Sequence, residues 1–574
     1  MNTAKLFFVL AIASSLLLSG CDNSSKNTQL PLKTSTIYFN GDILTMAGEE
    51  PSYVEALVEK DGNITFVGTL AEANKAYQGA IKFDLKGKTL LPGFVDGHSH
   101  IAVGMDNISF ADLNSPPAGK VKSIDEIVKA LQLNQEQHSI SKGEWIRGWG
   151  YDPDQLAEHR HPNKADLDAT FPDNPVFIHH VSGHMGVVNS YALKLLEIDE
   201  NTADPEGGRY VRIEGTNEPN GLIQGNALMG LMHSFPQPDE ETNKQNFEAI
   251  QNYYASYGIT TAQDGFAELD YIDLLKSYDK AGLVKLDIVA QVNYLEADKL
   301  YAREGVDFKS YDGHIKISGI KVVSDGSPQG KTAAMSEPYH TDVPGCIEDC
   351  KGIPYVTPEQ LLDVMVKAYK HDAQVFSHAN GDATIDLLIA THTEAEKQLN
   401  KPLNDRRTVV IHSQFMRPEQ LDAYKSEGFV PSFFTNHAFY WGDVHIENMG
   451  EERAFYTSPL KSAYEKGIKF ENHTDFMVTP HDQLFTVWTA VNRVSRAGVV
   501  IGPEERVSPY IALKAITDWG AFMNFDEDIK GTLEVGKMAD MVILSDNPLK
   551  VEPMKIKEIS VTTTIKEGNI VFSK

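Results

Sequence analysis

Cysteine is nearly missing from this sequence, with three residues in 574. That excludes a disulfide-stapled scaffold, and a chain this long buries a large core without covalent help. Positive charge is also scarce: 52 Lys+Arg stand against 80 Asp+Glu, a net charge of −28. An acidic chain without a Lys/Arg block repels phosphate backbones, so nucleic acid is not an expected partner. Long apolar runs are lacking except for Leu6 to Leu18 behind Lys5, which is too short to span a bilayer as a mature helix but suits a signal-peptide core. What remains, 41% hydrophobic and 23% charged, is ordinary globular composition, and about 150 residues per domain suggests two to four domains.

The leader ends in Leu18-Ser19-Gly20-Cys21, which resembles a bacterial lipobox. The expectation is a lipoprotein signal peptide over residues 1–20, a lipidated Cys21 and a polar tether over 21–33. The protein would then sit on the bacterial cell envelope facing the periplasm, touching the membrane through the lipid alone. A plain secretory signal with an incidental cysteine is the alternative. Cys346 and Cys350 lie in a Gly- and Pro-marked loop; an exported chain is expected to join them as a local disulfide, with free thiols or half of a metal clip as the alternatives.

Both ends of the remaining chain alternate short β-rich runs with turn signals. Thr36 to Phe39, Tyr53 to Val58 and Ile64 to Gly68 form one group; Ala539 to Leu544, Val561 to Ile565 and Ile570 to Phe572 form the other. They read as antiparallel strands that pair into one small domain. Between them, apolar strand-like runs alternate with helical stretches such as Pro358 to Lys370 and Pro418 to Ser426, the mark of a parallel sheet covered by helices. Candidate strands are Phe94-Val95-Asp96, Val176-Phe177-Ile178, Ile259 to Ala262, Leu286 to Ala290, Ile317 to Val323, Gln374 to Ser377, Thr408 to Ile411, Phe429 to Ser432 and Ile468 to Phe470. A count near eight favours a barrel. The stretch from about 105 to 235 is too long for a βα loop and reads as an inserted cap with its own elements.

Polar residues fall at the ends of those strands. His98 and His100 follow Phe94-Val95, His378 follows Val375-Phe376, His412 follows Val410-Ile411, and Asp475 follows Phe470. In a β/α barrel the C-terminal rim carries the active site, so these side chains are expected to converge. The two-residue spacing of His98 and His100 puts both imidazoles on one face of a strand, as one metal ion needs.

Leu91-Pro92-Gly93-Phe94-Val95-Asp96-Gly97-His98-Ser99-His100 resembles the metal-binding signature of the amidohydrolase superfamily, and Gly531 to Leu544 is similar to the segment by which its members return to the small domain. Lys321 to Ser327, His378-Ala379-Asn380-Gly381-Asp382 and Asn472-His473-Thr474-Asp475 resemble the amidohydrolase-3 branch, which includes N-substituted formamide deformylases. The resemblance spans about Thr34 to Lys574. It implies an α/β fold: a (β/α)8 TIM-type barrel over 93–525 with the insertion, and a composite β-sandwich from 34–92 plus 526–574. It also implies that His98 and His100 bind a buried metal, that His378 and His412 bind a second, and that Lys321, carboxylated by CO2, bridges them. Zinc or a similar divalent ion suits that set. Gly225 and Ile411 stand where many relatives carry acidic residues, so one or two ions per chain remain open.

On this pattern Asp475 binds the metal and serves as general base, and a metal-activated hydroxide attacks a carbonyl. Expected substrate contacts are His184, from Ser182-Gly183-His184, and His437 with Trp441 as an aromatic wall. Trp149 and Tyr151 are expected to contribute from the insert, and His473 as an oxyanion donor or an orienting residue. His138, His159, His161, His371 and His392 read as surface residues, and Arg493 as a salt-bridge partner. The leading expectation is hydrolysis of a non-peptide C–N bond in a small amide, such as an N-formyl or N-acyl amine. The alternatives are a deaminase, a lactone or ester hydrolase, or a non-catalytic envelope binding protein; a second copy of the chain stays open as a partner.

Overall fold

The computed structural model describes residues 35–574 apart from 206–207, 232–233, 236–237, 344–345, 347, 353 and 401–404. The expected signal peptide, the expected lipidation at Cys21 and the expected tether lie outside the described residues.

Eight strands form the central sheet: β1 (Phe94–Val95), β2 (Ile259–Ala267), β3 (Asp287–Asn293), β4 (Ile315–Val323), β5 (Gln374–Gly381), β6 (Val409–Phe415), β7 (Val430–Phe433) and β8 (Glu471–Asn472). They pair in parallel, in sequence order. The sheet curls, and beyond its two edge strands Ser99 bridges to Phe476 and the His100 amide donates to the Phe476 carbonyl at 3.0 Å. The result is a TIM-like, curled parallel sheet. β5 and β6 are buried at every position, as strands covered on both faces must be. The helix Pro358–Lys370 has the expected bounds. Thr357 caps it by accepting from the Gln360 amide while the Gln360 side chain returns to the Thr357 amide, and Leu361, Val364, Met365 and Ala368 make its buried stripe.

The strands from the two ends of the chain join one eight-stranded sheet, in which Met541–Leu544 pairs antiparallel with Thr89–Pro92. The named strands pair antiparallel as expected, and two further strands, Ile81–Asp84 and Thr89–Pro92, add parallel pairings with Thr36–Leu44. Thr89–Pro92 leads directly into β1, so this sheet anchors the strand that carries His98.

Residues 111–225 contribute a separate six-stranded sheet. Its fourth and fifth strands in order are Val176–His180 and Ile146–Tyr151. Val176-Phe177-Ile178 therefore belongs to the insert and not to the central sheet: its partners Ile146–Tyr151 and Met185–Val188 are local in sequence, and an apolar run does not say which sheet it joins.

Candidate metal centre

Six predicted residues meet at the C-terminal rim of the central sheet. The Asp475 carboxylate lies 3.5 Å from His98 Nε2, 3.4 Å from His100 Nε2 and 3.9 Å from His412 Nε2. Lys321, at the end of β4, places Nζ 3.1 Å from His98 Nε2. The His378 ring sits 4.5 Å from the His412 ring, and the His98 ring 5.8 Å from it. His412 and Asp475 have φ of 74° and 49°, left-handed conformations that non-glycine residues adopt at a cost and that concentrate at functional sites.

The supporting contacts differ from one imidazole to the next. His378 Nδ1 meets Asp325 Oδ1 at 3.1 Å, and Asp325 is itself fixed by the amides of Asn380, Gly381 and Ala334 at 2.9 to 3.2 Å. A carboxylate on Nδ1 makes Nε2, which meets Asn380 Nδ2 at 3.3 Å, the atom that could coordinate. His412 Nδ1 meets His473 Nε2 at 3.0 Å. Among the described residues, His98 Nδ1 is buried with no hydrogen-bond partner.

Burial sets the charges. It pushes His98 and His412 well below the ordinary imidazole value, with nearby Lys321 and histidines adding to the effect. Burial also lowers the Lys321 ammonium to about 7, although Asp475 works in the opposite direction. Burial alone would raise Asp475, yet the His100 hydrogen bond and the charges of His100, His473 and Lys321 bring it to about 2. Imidazole nitrogens converging on one carboxylate are a donor set for a divalent ion. His98, His100 and Asp475 offer ligand atoms within 4.8 Å of one another. The residues fit a metal centre.

Of the expected substrate contacts, His184 comes from the insert and feels His378, Asp475, Asp325 and His100; its imidazole is lowered to about 4, chiefly by burial. The His437 ring lies 4.5 Å from the Trp441 ring, tilted by 46°, and meets His445 Nε2 through Nδ1 at 3.0 Å. The Trp441 indole donates to Asp152 at 3.4 Å. The Trp149 indole donates to the Met477 carbonyl at 3.2 Å, next to the segment carrying Asp475. Tyr151 is fully buried, its hydroxyl engaged with His161. His473 lies behind His412, with both ring nitrogens in hydrogen bonds.

Two readings of non-site residues need correction. His392 is buried against the Tyr369 hydroxyl at 2.8 Å, and His161 is half-buried, because helix- and loop-borne histidines were assigned to the surface without a burial signal. Arg493 is fully buried and donates to the carbonyls of Ile501, Ser458 and Thr457 instead of a carboxylate. Cys346 and Cys350 form a disulfide in the loop after β4, with Cα atoms 5.8 Å apart. Sequence reasoning missed Ser432 and Glu471, whose contacts lie behind His473; a glutamate directly after an apolar strand-like run was the available signal.

A family model for the amidohydrolase family matches residues 82–572. The N-substituted formamide deformylase of Arthrobacter pascens is 24% identical over 534 residues, covering 91% of this chain and 96% of its own. Two solved structures share the fold. An uncharacterized metal-dependent hydrolase from Pyrococcus furiosus aligns with a TM-score of 0.70 at 26% identity, covering 90% of this chain and all of its own. Its counterpart from Pyrococcus horikoshii OT3 aligns with 0.72 at 25%, covering 91% and 99%.

Proposed function

We infer the function from the premise that the chain belongs to the amidohydrolase family, whose structural relatives here are metal-dependent hydrolases. We propose that it hydrolyses a non-peptide C–N bond in a small amide, an N-formyl or N-acyl amine, on a closed (β/α)8 barrel backed by a composite β-sandwich. The observation that carries this reading is the convergence of His98, His100, His412, Lys321 and Asp475 from separate strand ends.

In the proposed centre His98, His100 and Asp475 would hold one zinc ion and His378 and His412 a second, with a carboxylated Lys321 as the ligand they would share. A buried amine whose pKa falls to about 7 is partly uncharged at neutral pH, the form that reacts with CO2. Bound zinc supplies Lewis acidity and lowers the pKa of water. Asp475 takes the proton of the attacking water and passes it to the departing nitrogen, a role its central position and ionised carboxylate make available. His184, His437 and Trp441 enclose the organic substituent. The same proposal includes anchoring through a lipidated Cys21 on the envelope.

Elemental analysis of protein purified without chelators and with bicarbonate tests the core of it, followed by amine release from a panel of N-formyl and N-acetyl amines. Near two zinc per chain supports the Lys321 bridge; near one leaves Asp475 with a single ion. If metal is missing and cannot be restored, the reading fails.

A further inference from the structure

Behind His412 a row of buried polar groups leads away from the metal centre. His412 Nδ1 lies 3.0 Å from His473 Nε2, His473 Nδ1 lies 2.7 Å from Ser432 Oγ, and Ser432 Oγ donates to Glu471 Oε2 at 2.8 Å. All four residues are at most 3% exposed, so water does not complete these bonds. We propose that Glu471, Ser432 and His473 form a positioning relay that fixes His412 in the tautomer able to coordinate through Nε2.

Proton counting gives the direction. With Glu471 Oε2 as the acceptor, the one hydroxyl hydrogen of Ser432 goes to Glu471 even where burial keeps that carboxyl protonated on Oε1, so Oγ faces His473 as an acceptor and His473 Nδ1 carries the hydrogen between them. A neutral imidazole has one N–H, so His473 Nε2 is bare and accepts from His412 Nδ1–H. His412 Nε2 is then left with a free lone pair, 3.9 Å from the Asp475 carboxylate. Without an acceptor at the far end, the opposite tautomer becomes accessible, and it places a hydrogen on the coordinating atom. Local geometry protects the relay. A Cβ on Gly97 would fall 1.4 to 1.9 Å from the Glu471 carboxyl group, so only glycine leaves that group its place.

The inference rests on the proposed metal centre and is tested by affinity, independent of turnover. Zinc affinity is measured by chelator competition for the full chain and for Ser432→Ala, Ser432→Thr, His412→Ala and the Ser432→Ala/His412→Ala double variant. Thermal unfolding verifies that each is folded. Ser432→Ala is expected to weaken zinc binding by about 10- to 100-fold, the usual effect of removing a partner of a ligating histidine. Ser432→Thr, which keeps the hydroxyl, restores it. In the His412→Ala background, Ser432→Ala should weaken binding no further, because the relay then has no ligand to orient. Unchanged affinity in Ser432→Ala, or an equal loss with and without His412, overturns the relay. If Ser432→Ala fails to fold, Glu471→Leu and Gly97→Ala break the far end instead and are judged by the same criterion. Failure of the unaltered chain to bind zinc sinks the metal centre itself, and the relay with it.

Discussion

Asp475 is the residue on which the proposed chemistry turns, and its backbone restricts how it can be tested. At φ 49° an alanine carries the cost of a left-handed conformation, about 1–2 kcal/mol, whereas asparagine tolerates that region. Asp475→Asn therefore separates chemistry from folding: kcat is expected to fall by about 10²- to 10⁴-fold, as for loss of a general base, with the unfolding midpoint nearly unchanged. Turnover within a factor of a few of the parent would remove Asp475 from the reaction. The histidine candidates and Asp475 were legible in sequence because each is a polar residue following an apolar strand-like run, whereas Lys321, inside the run Ile317 to Val323, was legible only through the family resemblance. Their supports were not. Ser432 ends such a run and Glu471 follows one, and nothing in a single sequence says that a serine and a glutamate 39 positions apart share a hydrogen bond.

At the scale of elements, the strand runs were legible because fully buried parallel strands are apolar throughout, but apolarity did not identify Val176–His180 as part of the insert. Also hidden was the polar junction at the opposite end of the central sheet. Asp287, which opens β3, binds Lys530 and, at 3.0 Å, Lys566 from the composite sheet, while His314 donates to it at 2.9 Å. Burial would raise the Asp287 carboxyl, but the two lysines and His314 overcome it and hold it below the usual carboxylate range. Its stabilisation is therefore present above the unfolded value of about 3.9 and lost as pH falls. The Asp287 hydrogen bond raises His314, despite burial. That contribution is full below about pH 6.5 and disappears as pH rises through the folded value. Asp287→Ala leaves two buried ammonium groups without this partner and should cost about 3–5 kcal/mol in urea unfolding. His314→Gln should lower the midpoint more at about pH 5.5 than at about pH 8.5; equal losses would show that His314 stabilises without its charge.

Across the whole molecule the labour is divided between two bodies of structure. The central sheet supplies every proposed metal ligand, and the insert supplies His184, Trp149 and Asp152 to the space above them. They meet at a buried apolar contact of Val181 with Tyr440 and Trp441, and at the Trp441 indole on Asp152, a carboxyl that burial and Asp154 push up to about 6. If that division is real, a change at the contact should alter substrate handling and leave the metal alone. Trp441→Phe keeps an aromatic ring at the contact, smaller than the indole, and removes the donor to Asp152. The expected result is zinc content and affinity within about twofold of the parent, with kcat/KM on an N-formyl amine probe reduced by about tenfold, equivalent to roughly 1.4 kcal/mol of lost transition-state stabilisation. Were zinc lost together with activity, the insert would be part of what holds the centre, and the ligand geometry could not be treated as a property of the central sheet alone.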